Sequence, residues 1–119
     1  MIVNATRRLK AAKAGHYAVG HFNTNNLPVI IASSMGAAKY RGGYKVVANL
    51  VRTLDKELGI TVPVAIHLDH GNYEAAKACV AAGYSSIRFD GSSLPFEENV
   101  AKTKELVNLA HDNGLSIEA

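Results

Sequence analysis

The sequence repeats one pattern four times, and each repeat has an amphipathic segment, a glycine and then an apolar segment. The glycines are Gly15, Gly59, Gly83 and Gly114, and the apolar segments that follow them cover residues 16–22, 60–68, 84–89 and 115–117. Glycine directly after a helix supplies the left-handed backbone conformation in which many helices end. Helices that alternate with apolar strands are typical of βα units in a parallel sheet. The repeat therefore predicts an α/β fold with parallel strands.

The amphipathic segments carry the helical part of this pattern. We predict helices at residues 5–14, 44–58, 73–82 and 96–112, with residue 95 as an alternative start for the last one. Asn4 and Asn72 are the predicted N-caps of the first and third helices, because a short polar side chain accepts a free amide hydrogen there. One face of the second helix carries apolar residues at helical spacing and is predicted to be buried. These residues are Val47, Val51, Leu54 and Leu58.

The link between two predicted strands, at residues 17–22 and 28–32, is too short for a parallel connection. Only five residues separate these strands, whereas a parallel crossover needs roughly a dozen or more. Either the two strands form an antiparallel hairpin, or a crossover helix is absent between residues 27 and 28. Because a helix precedes every other predicted strand, we favour the absent helix. Residues 1–119 are then expected to form a single, partial domain.

Composition and charge narrow the functional classes. The 119 residues carry 13 Lys and Arg against 10 Asp and Glu, a net charge of +3, without a basic run. This balance does not favour nucleic-acid binding. No stretch reaches the roughly 20 apolar residues of a membrane helix, and the single Cys79 fits a reducing compartment. We therefore expect a cytoplasmic protein without nucleic-acid or membrane partners.

The third predicted strand ends in a cluster of titratable residues. Its apolar run leads into His67, Asp69 and His70, and Gly71 follows directly. Enzymes with parallel sheets place their chemistry at the carboxyl ends of the strands. Alternation along the strand predicts that His67 and Asp69 share one face and His70 the other, unless the strand end turns and brings His70 to the same side. For His67 alone we favour a packed residue that is hydrogen-bonded to the backbone, and for Asp69 with His70 we favour function.

Two short motifs carry a resemblance to a known family. The motif HLDHG at residues 67–71, followed by FDGS at residues 89–92, resembles the class II, zinc-dependent ketose-bisphosphate aldolases. The similarity extends over the whole chain and includes residues 20–23, 36–40 and 97–100. It implies a (β/α)8 TIM barrel. Because such a barrel takes about 250 residues, this chain would be its front half, without the C-terminal half.

The resemblance also implies roles for individual residues. Asp69 would be the catalytic acid and base, His70 a ligand of the catalytic zinc, and Asp90 a metal ligand at a second or alternative position. Polar residues that would line the substrate end of the barrel are Asn23, Asn26 and Ser34. Taken singly, each has an ordinary alternative, because polar residues and glycine are also common in turns. Together they follow the ends of successive predicted strands, as the mouth of a barrel requires.

The implied reaction is the reversible cleavage of fructose 1,6-bisphosphate into dihydroxyacetone phosphate and glyceraldehyde 3-phosphate. The resemblance implies Zn²⁺ as cofactor, a phosphorylated ketose as substrate and a homo-oligomer. One alternative is a tagatose-1,6-bisphosphate aldolase. Another is an inactive, truncated α/β module that binds a partner through its open sheet edge. The family's other zinc ligands would follow Ala119, so the 119 residues alone are expected to be inactive.

Overall fold

Helices and parallel strands alternate through residues 1–20 and 32–119, which are the residues that the computed structural model describes. The strands are β1 (Ala32–Ser34), β2 (His67–Gly71), β3 (Ser86–Phe89) and β4 (Ser116–Glu118). The helices are α1 (Thr6–Gly15), α2 (Met35–Tyr40), α3 (Tyr44–Glu57), α4 (Tyr73–Ala82) and α5 (Phe96–Asp112). The strands pair in the order β1-β2-β3-β4, and every pair is parallel. The predicted α/β fold with parallel strands is confirmed.

One face of the sheet packs against α3, α4 and α5 and forms the hydrophobic core. The residues with no exposed surface are Val47, Ala48, Leu68, Ala76, Cys79, Ile87, Leu106 and Ala110. Leu68 and Ile87 lie opposite each other on β2 and β3, so both strands turn the same set of side chains toward the helices. None of the helices in the described ranges is long and apolar enough to cross a lipid bilayer.

The opposite face of the sheet is polar. Its side chains occupy the alternate positions of three strands, namely His67 and Asp69, Ser86 and Arg88, and Ser116 and Glu118. The parallel register sets His67 beside Ser86, and Arg88 beside Glu118. Because side chains alternate along a strand, the burial of the apolar set forces this polar set onto one surface.

The starts and ends of α1, α3, α4 and α5 lie within one residue of the predictions, whereas α2 was not predicted and both ends of α1 differ in detail. Asn72 caps α4, since its Oδ1 accepts a hydrogen bond from the Ala75 amide at 2.9 Å. Asn4 does not cap α1, which begins at Thr6 after Ala5. The Asn4 side chain instead donates to the carbonyl of Gly114 at 3.1 Å. At the end of α1, His16 and not the preceding glycine adopts the left-handed conformation, with φ of 54°.

The buried stripe of α3 is confirmed only in part. Val47 and Val51 are buried and Leu54 is partly buried, whereas Leu58 is 64% exposed. The prediction for Leu58 was wrong because the helix ends at Glu57. Leu58 is the C-cap residue, just beyond the last turn of the helix.

The strand bounds differ more from the predictions. The strand predicted at residues 60–68 is β2, which begins only at His67. The first residues of its neighbours β1 and β3 pair with His67, so the residues before it have no strand partner in these two strands. Val64 pairs instead with Ile2 at the amino terminus. Residues 17–20 are not in a strand. The rest of that predicted strand, most of the strand predicted at residues 28–32, and the link between residues 27 and 28 lie outside the described residues.

The cap of α4 yields a stability prediction. We expect Asn72→Ala to lower the free energy of unfolding by about 0.5–2 kcal/mol, because the Ala75 amide loses its hydrogen-bond acceptor. Asn72→Asp keeps an acceptor and is the matched control. Urea unfolding followed by circular dichroism measures both variants. If the alanine and aspartate variants unfold at the same urea concentration, the cap does not stabilise the helix.

Candidate functional site

The end of β2 is irregular, and this irregularity assembles the site. Leu68 pairs with Ile87 but Gly71 pairs with Phe89, so β2 has one residue more than β3 between the two pairs. Such a bulge bends the strand and redirects a side chain. His70 adopts φ of 50°, an uncommon conformation for a residue with a side chain. The turn brings His70 Nε2 to 3.8 Å from Asp69 Oδ1, so the two residues lie together despite the alternation of the strand.

Gly71 is the residue that this bulge requires. A Cβ atom at this position would lie 2.2 Å from the Leu68 side chain and 3.0 Å from the backbone oxygen of Arg88. Leu68 is fully buried in the core, so it has little room to move. The glycine of the HLDHG motif therefore lets the end of β2 pack closely against β3.

The imidazole of His70 has a different partner on each ring nitrogen. Nδ1 lies 3.3 Å from Asp90 Oδ2, and Nε2 lies 3.3 Å from Arg88 Nη1. A carboxylate only accepts hydrogen bonds and a guanidinium only donates them. Nδ1 therefore carries the proton, and the lone pair of the neutral ring is on Nε2. A histidine that binds a metal through Nε2 usually donates a hydrogen bond from Nδ1–H to a carboxylate or a carbonyl oxygen.

Asp90 is held in its ionised form by the loop that follows β3. Its Oδ1 accepts hydrogen bonds from the Ser92 hydroxyl at 2.6 Å and from the Ser92 amide at 3.1 Å. These two bonds, together with the contact to His70, lower the pKa of Asp90 to about 2. Asp90 is thus part of an ordered turn, as the simpler interpretation of Asp90-Gly91 expected, and it also contacts His70.

Asp69 has a carboxylate oxygen available for chemistry. Its side chain is 19% exposed, and Oδ1 is buried without a hydrogen-bond partner among the described residues. The nearest charged group is the Arg88 guanidinium, with Nη1 3.7 Å from Oδ1. A buried oxygen without a partner is costly, and such atoms often mark a place where a ligand or a proton binds.

His67 packs deeper on the same face. It is 8% exposed, with Nδ1 2.8 Å from Ser86 Oγ and Nε2 3.3 Å from Glu118 Oε1. The expectation of a packed strand residue is confirmed, and side chains of β3 and β4 lie against both ring nitrogens. His67 therefore links three strands next to Asp69.

Ser34 is the last residue of β1 and lies beside Asp69 in the parallel register. Its Oγ accepts a hydrogen bond from the Ala37 amide at 3.3 Å and caps α2. Ser34 therefore lies at the junction between the end of β1 and the short helix α2. Asn23 and Asn26 lie outside the described residues.

The donor atoms suit zinc, although they do not complete a zinc site within the described ranges. Zinc takes imidazole nitrogen and carboxylate oxygen, and a catalytic site usually has three protein ligands. His70 provides an imidazole whose lone pair is on Nε2, and the carboxylates of Asp69 and Asp90 are adjacent to its ring. Residues 1–20 and 32–119 contain no group of three or more His, Cys, Asp or Glu that could hold a metal ion. Further ligands would have to come from elsewhere.

Sequence reasoning missed Arg88 and Ser92. Arg88 contacts both Asp69 and His70, and Ser92 holds Asp90. The available signal was a single charged residue within the apolar segment at residues 84–89. Its partners could not be deduced, because they depend on the pairing of β2 with β3.

Comparisons with known proteins identify the family to which this sequence is similar. A family model described as class II fructose-bisphosphate aldolase matches residues 3–119. Fructose-bisphosphate aldolases of Streptococcus pyogenes serotype M1 and Mycoplasma pneumoniae are 55% and 48% identical, over 99% of this chain and 45–46% of their own length. The chain thus spans about half the length of these relatives. Both alignments run over 133 residues, so they contain positions that this chain of 119 residues lacks.

The fold also matches that of a solved aldolase. The crystal structure of the YdjI aldolase from Escherichia coli K12 superposes with a TM-score of 0.84 and 29% sequence identity. The match covers all of this chain and 50% of the YdjI chain.

The turn after β3 yields a prediction about Asp90. We expect Ser92→Ala to raise the pKa of Asp90 from about 2 toward the usual value, since the largest cause of its lowering is the hydrogen bond from the Ser92 side chain. Carboxyl ¹³C NMR titration measures this pKa. The neighbouring variant Ser93→Ala is the control and should leave the pKa low.

The same shift determines how stability depends on pH. A carboxyl whose pKa is lower in the folded state stabilises the fold above its unfolded pKa of about 3.9, and this contribution is lost as the pH falls toward the folded value. The free energy of unfolding of Ser92→Ala should therefore change less between these two pH values than that of Ser93→Ala. An unchanged Asp90 titration in Ser92→Ala would contradict the assignment.

Proposed function

Because the chain belongs to the class II fructose-bisphosphate aldolase family, we propose that it forms the front half of a (β/α)8 barrel in an enzyme that reversibly cleaves fructose 1,6-bisphosphate. The products would be dihydroxyacetone phosphate and glyceraldehyde 3-phosphate. The observation that carries the proposal is the pair of Asp69 and His70 at the carboxyl end of β2, within a chain that matches the family from residue 3 to residue 119. Strand ends of this kind form the active sites of such barrels.

Asp69 is the proposed acid and base. In aldol cleavage, a base takes the proton of the hydroxyl group beside the carbon–carbon bond that breaks. The carbonyl of the aldehyde forms, and the electron pair of the broken bond moves to the carbon next to the ketone. Asp69 Oδ1 has no hydrogen-bond partner among the described residues, so it can accept this proton and return it in the reverse reaction.

Zn²⁺ is the proposed cofactor, and His70 Nε2 is the proposed donor from this part of the chain. A zinc ion would supply a Lewis acid for the ketone oxygen. The Asp90 carboxylate accepts a hydrogen bond from His70 Nδ1–H, so the lone pair of the ring is on Nε2, on the side away from Asp90. Its carboxylate is also the proposed donor at a second or alternative metal position. The remaining ligands would come from residues beyond the described ranges.

The proposed substrate is a phosphorylated ketose, with Asn23, Asn26 and Ser34 as polar residues at the substrate end. Ser34 is supported by its position beside Asp69 in the sheet. Tagatose 1,6-bisphosphate, an epimer, is the alternative substrate. We also propose a homo-oligomer in the cytoplasm, in keeping with the single cysteine.

We propose that a crossover segment of the family is absent between residues 27 and 28. Five residues are too few to connect parallel strands, and the alignments with relatives contain positions that this chain lacks. In the described sheet, β1 and β4 are the outer strands. An inactive module that pairs with a partner along one of these edges is therefore the alternative from another functional class.

The proposal separates the roles of Asp69 and His70 in the full-length enzyme. Asp69→Ala should keep its zinc content and lose about 10²–10⁴-fold in kcat, because a positioned acid and base is removed. His70→Ala should lose zinc and activity together. Metal analysis and steady-state cleavage of fructose 1,6-bisphosphate measure both, and tagatose 1,6-bisphosphate tests the alternative substrate.

The exposed variant Asp112→Ala is the control and should retain both zinc and activity. Near-normal kcat in Asp69→Ala would remove this residue from the mechanism. Zinc bound as tightly after His70→Ala would remove the proposed metal ligand.

A further inference from the structure

Arg88 places a permanent positive charge beside Asp69 and His70, the two residues to which the proposed function assigns the chemistry. It lies on the polar face of β3, one strand away from Asp69 and His70. Its Nη1 is 3.3 Å from His70 Nε2 and 3.7 Å from Asp69 Oδ1. The guanidinium therefore contacts the nitrogen and lies close to the oxygen that the proposed function uses.

The contact with His70 occupies the atom that a metal ion would need. His70 donates a hydrogen bond from Nδ1–H to Asp90, so Nε2 carries the lone pair of the ring. A lone pair that accepts an N–H group cannot bind a metal ion at the same time. Arginine stays protonated in proteins, so raising the pH does not end this competition.

Electrostatic repulsion adds to this competition for the lone pair. A guanidinium and a divalent cation repel each other, and both are attracted to the carboxylate of Asp69. The Arg88 side chain is 39% exposed, so it can leave the cluster and turn toward water. This movement gives up its contacts with Asp69 and His70.

We propose that Arg88 is a built-in competitor of the metal ion: its guanidinium occupies His70 Nε2 in the metal-free protein and must be displaced before a divalent cation binds there. This inference rests on the proposed zinc site. The consequence is that Arg88 sets the metal affinity of the protein below the value that the donor atoms alone would reach.

The test compares zinc affinity in the intact protein and its variants by competition with a chromophoric chelator. Arg88→Met keeps an unbranched side chain of similar length without the charge, and should bind zinc about tenfold more tightly or better, a change of roughly 1.4 kcal/mol per factor of ten. Arg88→Gln also removes the charge and repeats the comparison, so that a folding defect in one variant does not decide the result. Arg7→Met, on the exposed surface of α1, is the control and should match the parent.

His70→Ala in the Arg88→Met background tells apart the two ways in which the inference could fail. Loss of the gained affinity in this double variant supports the inference. Equal, His70-dependent affinity in parent and Arg88→Met overturns the role of Arg88 but leaves the zinc site. Weaker binding in Arg88→Met also overturns it, because Arg88 would then organise the ligands. Binding that does not depend on His70 in any variant overturns both the zinc site and the inference.

Adding the missing group back provides a second readout. In Arg88→Ala, millimolar guanidinium chloride should weaken zinc binding, because free guanidinium can take the place of the side chain. Sodium chloride at the same ionic strength controls for screening, and the parent should respond equally to the two salts. If the two salts also act equally on Arg88→Ala, the contact with His70 does not compete with zinc.

Discussion

The alternation of side chains along β2 and β3 is the constraint on which the rest of the site depends. Leu68 and Ile87 are fully buried against the helices, so they decide which face of each strand points to the core. His67, Asp69 and Arg88 must then lie on the opposite face. A slip of one residue in the pairing would exchange the two sets and bury the charges. Because burying unpaired charge is costly, the observed pairing of β2 with β3 is favoured over a pairing shifted by one residue.

The bulge at the end of β2 turns this regular surface into a cluster. A regular strand would direct His70 to the same side as Leu68, into the core. The extra residue and the positive φ of His70 avoid this, and Gly71 allows the strand to return to close contact with β3. Such unusual backbone conformations persist where the surrounding packing determines them. Here the packing is that of Leu68 in the core, so the core and the site share one stretch of chain.

The cluster combines the carboxylates of Asp69 and Asp90 with the guanidinium of Arg88 around the imidazole of His70. Asp90 is kept ionised by Ser92, and Asp69 has an oxygen without a hydrogen bond among the described residues. The carboxylates of Asp69 and Asp90 lie 3.8 Å and 3.3 Å from the ring nitrogens of His70, and carboxylates favour a nearby cation. Arg88 is that cation in this structure, and a divalent metal is the alternative that the family suggests.

The α/β class and the bounds of α3, α4 and α5 to within one residue could be predicted from the sequence alone, and the sequence also singled out Asp69 and His70 as neighbours in one motif. These features depend on periodicity, caps and glycines, which act within a few residues of chain. The start of β2 at His67, the hydrogen bond from Asn4 to Gly114 and the contact of Arg88 with His70 follow only from the folded chain. The Asn4 bond joins residues 110 positions apart, and the Arg88 contact joins residues 18 positions apart on separate strands. Such contacts arise from the relative placement of whole elements, which follows from packing and register and not from any local pattern.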